Sequence, residues 1–166
     1  MNITPEKYTQ RLNELLAKKK VLLLEILAMT QAQTKVITED GLDSLNDLIN
    51  KKQLKIDEID KLNEEFQIYL ARFKSTLGIS SLEQLNTASL SEAAATGARQ
   101  LKALTAETLN VIGQISEIEK VNSKKSNELR EQLGGEIKRI NQGKKVNNAY
   151  NPGSYNTPSY FMDKKK

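Results

Sequence analysis

Between Pro5 and about Gln142, apolar residues recur at alternating spacings of three and four, the period of helices that pack along one face. Helix one is predicted over about residues 5–39. Thr4 offers a capping oxygen, Pro5 suits the first helical position, and Glu6 places an anion in the first turn, where the helix dipole favours it. Its seam runs Tyr8, Leu12, Leu15, Lys19, Leu22, Ile26, Met29, Gln33 and Val36, widened on one flank by Leu16, Leu23 and Leu27. Gly41 marks the stop, since glycine relieves the left-handed conformation that commonly ends a helix.

Helix two, over 42–77, carries the clearest period: Leu42, Leu45, Ile49, Lys52, Ile56, Ile59, Asn63, Phe66, Leu70, Phe73 and Leu77, with Gly78 as the next stop. Two helices of similar length joined at Gly41 predict an antiparallel hairpin whose stripes cover each other. The polar residues in these seams, Lys19, Gln33, Lys52 and Asn63, either fix register or sit at the seam's edge, and the edge is the expectation.

From 78 to 97 the pattern weakens into a connector. Ser81 to Asn86 can make one helical turn, and Thr87 to Gly97 is rich in Ala, Ser and Thr, with too few large apolar residues to hold itself in place. Helix three is predicted over 98–142, first through Leu101, Leu104, Thr108, Val111, Ile115 and Ile118. After the polar stretch Asn122 to Asn127 it resumes through Leu129, Leu133, Ile137 and Ile140. Its second half is densely charged, with a narrower apolar stripe, and Gly134 with Gly135 costs up to about 1 kcal/mol each relative to alanine. That stripe can pack on the hairpin, dimerise weakly with a second copy, or accept an amphipathic helix from another protein.

The fold class read from this pattern is all-α: an elongated antiparallel hairpin plus a long third helix, a three-helix coiled-coil-like bundle over 1–142, followed by a flexible basic tail over 143–166. In the tail, Asn147, Asn148, Asn151, Pro152, Gly153, Asn156 and Pro158 are turn formers. Val146, Tyr150, Tyr155, Tyr160 and Phe161 therefore ride on a segment that should not fold alone. Tyrosine supplies contact area with few rotors to freeze, so these residues are candidate partner contacts together with Leu129, Leu133, Ile137 and Ile140.

Composition narrows the chemistry. The 166 residues include no cysteine, no histidine and no tryptophan, which removes disulfides, thiol nucleophiles, Cys or His zinc sites and the usual general base near neutral pH. An enzyme and a resident cofactor are not expected. The net charge of +4 is carried by the tail, where five lysines face one aspartate; the body is balanced. Nucleic-acid binding, which needs a basic face along a folded element, is not expected either. No apolar run approaches the roughly 20 residues of a membrane span, and the start lacks the pattern of a signal peptide, so no membrane insertion and a cytoplasmic location are expected.

The hairpin, the linker from Leu77 and Gly78 through Ser80, Ser81, Leu82 and Glu83 to Leu85, the later helix with Asn122, and the runs Asn141 to Tyr150 and Tyr160 to Lys166 together resemble the FlgN-type flagellar export chaperones of Gram-positive bacteria. The chain departs from that pattern at Ser123 to Lys125, where a more apolar run is usual. The resemblance implies a cytoplasmic chaperone. It would bind C-terminal helical segments of hook-filament junction proteins (hook-associated proteins), prevent their premature assembly, and deliver them to the flagellar export gate. The rival reading from another class is a structural homo-oligomeric coiled coil with no client.

Overall fold

A computed structural model describes residues 3–134. Three helices dominate: α1 (Pro5–Val36), α2 (Leu42–Leu77) and α3 (Glu92–Gln132). No strand occurs among the described residues, so the all-α reading holds.

The helix ends follow local chemistry. Thr4 caps α1 by accepting the Lys7 N–H, and Pro5 takes the first helical position. Gly78 ends α2 at φ 68°, with the Ile79 N–H returning to Lys74 O at 3.0 Å and the Gly78 N–H to Ser75 O at 3.2 Å. That paired closure needs a left-handed residue, which glycine supplies without steric cost.

Helix α1 stops at Val36, three residues short of the position read from the pattern. Ile37 turns inward and is buried, and a single 3₁₀ turn, Glu39–Gly41, leads into α2. Burying Ile37 against Leu42 and Leu45 outweighs one more helical turn. The connector contains the short turn expected near Ser81, as a 3₁₀ turn at Leu82–Gln84, and a second at Thr87–Ser89.

Helix α3 opens at Glu92, six residues before the predicted start. Ser91 caps it by accepting the Ala94 N–H at 3.1 Å and ties it to α1 by donating to Glu6 Oε1 at 2.6 Å. The Ala-rich stretch is helical because its small side chains let two backbones approach: Ala94, Ala95, Gly97 and Ala98 are buried, and Asn13 Nδ2 donates to Gly97 O at 2.9 Å. A search for large apolar residues passes over such a contact. The helix is described through Gln132, with Leu133 and Gly134 in a closing turn; the predicted continuation to 142 and the tail lie outside the described residues.

Pairings fix the directions. Arg11 meets Glu65, Glu25 meets Lys55 and Gln33 meets Lys52, so α1 and α2 are antiparallel. Asn13 meets Gly97, Lys20 meets Glu107 and Thr34 meets Asn122, so α1 and α3 run parallel. Three apolar clusters follow one another along the rod. One end holds Tyr8, Leu12, Leu16, Phe73 and Leu101. The middle holds Leu22, Leu23, Ile26, Ile56, Ile59, Val111, Ile112 and Ile115. Ile37, Leu42, Leu45 and Leu133 close the end formed by the α1–α2 turn.

Candidate functional site

The sequence pointed to Leu129 and Leu133 followed by Ile137, Ile140, Val146, Tyr150, Tyr155, Tyr160 and Phe161. The structure brings the first two together at the hairpin's closed end. Leu133 is 7% exposed among Ile37, Leu42 and Leu45, and Leu129 is half-buried beside it with Val36 and Ile49. Of the three fates open to this stripe, its first two residues therefore pack inside the chain. The cause is register: α3 starts early and parallel to α1, so its last turn reaches the level where Ile37, Leu42 and Leu45 need cover. The other seven residues lie outside the described residues.

Immediately before this closed end, the interior is polar. Lys52 Nζ donates to Gln33 Oε1 at 2.7 Å, to Thr30 Oγ1 at 3.3 Å and to Glu119. Asn122, fully buried, donates from Nδ2 to Thr30 O at 3.0 Å and accepts from Thr34 Oγ1. Lys125 Nζ reaches Thr34 O at 2.6 Å. Gln33 and Lys52, expected at the seam's edge, are thus inside it. Burial explains their partners, because a charge or amide removed from water needs hydrogen bonds in return.

Burial also sets the charges here. It pushes the Lys52 ammonium below its ordinary pKa, against the attraction of Glu119, and pushes the Glu119 carboxyl above its ordinary range, against the attraction of Lys52. A lysine with a lowered pKa is a candidate nucleophile. Lys52, however, directs its ammonium to Thr30, Gln33 and Glu119 in the packed interior, which is the arrangement of a structural group. Among the described residues no group of carboxylates is arranged to hold a metal ion, and no helix is long and apolar enough to cross a membrane.

One feature escaped the sequence reading. Val21 and Leu24 are 56% and 45% exposed, and Ala17 and Ala28 are exposed beside them. They lie on the side of α1 opposite its buried stripe. The signal was the nearly continuous apolar stretch Val21 to Met29: a helix apolar on all sides carries more greasy surface than one seam can cover.

A family model described as FlgN protein matches residues 1–157. No curated protein and no solved structure matches the chain significantly.

Proposed function

Because the chain belongs to the FlgN family of flagellar export chaperones, which bind hook-associated proteins, we propose that it captures C-terminal helical segments of hook-filament junction subunits in the cytoplasm and hands them to the export gate. The observation that carries this reading is the reach of the family match, which includes the three helices and most of the tail. Junction subunits that polymerise through amphipathic terminal helices need that apolar stripe occupied until export.

The client contact falls at the end of the rod. Leu129 and Leu133 anchor α3 on the hairpin, and the chain beyond them offers Ile137 and Ile140, then Val146, Tyr150, Tyr155, Tyr160 and Phe161, to client or gate. This divides the segment by role: the first two residues position it, and the later seven make the contact. Five lysines in the tail add attraction to acidic surfaces.

Co-purification of the full chain with flagellar proteins tests the proposal. A junction subunit retained by the full chain and lost on truncation after Gln142 supports the client and the tail part of the site. Retention by the truncated chain removes the tail, and failure to retain any flagellar protein overturns the reading.

A further inference from the structure

The unused apolar face of α1 has the pattern of a helix–helix seam. Gln10, Glu14, Ala17, Val21, Leu24, Ala28, Gln31 and Lys35 follow one another at spacings of four and three throughout, and every one of them is exposed. This is the narrow two-position seam of a coiled coil rather than the broader stripe that faces a globular core. Its centre is apolar and its ends are polar. The flanks are held in place, since Lys20 bonds Glu107 of α3 at 2.7 Å and Glu25 bonds Lys55 of α2 at 3.0 Å.

We propose that this face of α1 is a self-association surface, on which a second copy of the chain packs its own α1 antiparallel about a two-fold axis passing between Val21 and Leu24. The charge pattern selects both the occupant and its direction. In an antiparallel coiled coil each position of one kind faces one of the other kind, so Val21 meets the second copy's Leu24 and Ala28 meets its Ala17. At the ends Glu14 meets Gln31 and Lys35 meets Gln10, and no like charges face each other. Beside the seam, Lys18 falls opposite Glu25 of the second copy, and the symmetry repeats that attraction on the other side. Parallel pairing in register would instead place Glu14 on Glu14 and Lys35 on Lys35. The seam positions themselves avoid like charges in the antiparallel direction only.

The seam is short, and half of its four apolar positions in each copy are alanine. So short a contact falls below the roughly 1,200 Å² at which stable interfaces begin, and the association it supports is weak and reversible. It also leaves the closed end of the rod, with Leu129, Leu133 and the chain beyond, untouched. The dimer does not depend on client binding.

Sedimentation equilibrium on the full chain, from roughly 10 µM to 1 mM, reads the association directly. The expected result is a monomer–dimer equilibrium whose dissociation constant rises at least tenfold in Val21→Glu/Leu24→Glu, with helicity unchanged because both side chains are exposed in the monomer. The natural absence of cysteine allows direction to be read by cross-linking. Mixing Ala17→Cys with Ala28→Cys should give a disulfide-linked dimer on oxidation. Either variant alone should not, since identical positions lie about 16 Å apart along the axis in this register, eleven residues at a rise of about 1.5 Å. A chain that stays monomeric throughout overturns the proposal. So does a dimer that survives Val21→Glu/Leu24→Glu, or an Ala17→Cys variant that links to itself as readily as the mixture.

Discussion

Lys52 of α2 and Glu119 of α3 form an ion pair across the bundle interior, with the ammonium also held by Gln33 Oε1 of α1 at 2.7 Å, so one group joins all three helices. A buried pair is costly to break and cheap to replace. Removing one partner leaves an uncompensated charge, whereas exchanging both for apolar residues removes the desolvation cost as well. Glu119→Ala is therefore expected to destabilise the fold by about 3–5 kcal/mol, and Lys52→Met/Glu119→Leu by only about 1–3 kcal/mol, the cost of leaving the buried Gln33 amide without its partner. Urea unfolding followed by circular dichroism measures both. A double variant as unstable as the single would mean that the polar layer holds the helices in register.

The same pair separates the single variants by pH. Burial lowers the Lys52 pKa, so below 10.5 the unfolded chain binds more protons than the folded one, and stability rises with pH through that window. Burial raises the Glu119 pKa, so just above 4.5 the folded chain binds more protons, and stability falls as pH rises. Without its partner each group is shifted further. The stability deficit of Glu119→Gln should shrink from neutral towards alkaline pH, and that of Lys52→Met should shrink from neutral towards acid pH. Denaturation midpoints at three pH values against the parent chain check the opposite slopes.

Two glycines of α3 should respond in opposite ways to one substitution. A Cβ on Gly97 would stand 2.7 Å from Thr9 Cβ across the α1–α3 contact, so Gly97→Ala should destabilise by about 1–3 kcal/mol despite alanine's better helix propensity. A Cβ on Gly113 meets nothing within 4 Å, so Gly113→Ala should stabilise by about 0.5–1 kcal/mol. Thermal unfolding of the two variants, and of Thr9→Gly/Gly97→Ala against Thr9→Gly alone, tests the close approach, because only glycine at position 9 removes the opposing Cβ.

The hairpin was legible because Leu, Ile and Phe at helical spacing carry its packing and Gly78 ends α2, which runs over the residues its period predicted; Gly41, expected to end α1 in a left-handed conformation, instead precedes α2 at φ −96°. Two kinds of residue were not. Ala94, Gly97 and Ala98 pack by being small, which looks like an absence of signal until α1 is placed beside them. Gln33, Lys52 and Asn122 are polar at positions that periodicity assigns to an apolar seam, and only the partners brought in by other helices justify their burial. For the site, sequence chemistry identified Leu129 and Leu133 as apolar positions. It could not show that Ile37 of the α1–α2 turn and Leu42 and Leu45 of α2 would cover them, because that contact depends on where α3 begins.

The proposed division between anchor and contact predicts that neighbouring apolar residues separate into two phenotypes. Leu133 fills the cluster with Ile37, Leu42 and Leu45, so Leu133→Ala should cost about 2–5 kcal/mol of stability through lost transfer energy and the cavity left behind. On that proposal, Ile137→Asp/Ile140→Asp should leave the unfolding free energy within about 0.5 kcal/mol of the parent while weakening client capture at least tenfold. Calorimetric titration with a junction-protein C-terminal peptide, alongside unfolding curves, reads both quantities. If Leu133→Ala weakens capture without loss of stability, the client enters the closed end itself; if Ile137→Asp/Ile140→Asp unfolds the rod, that segment belongs to the core.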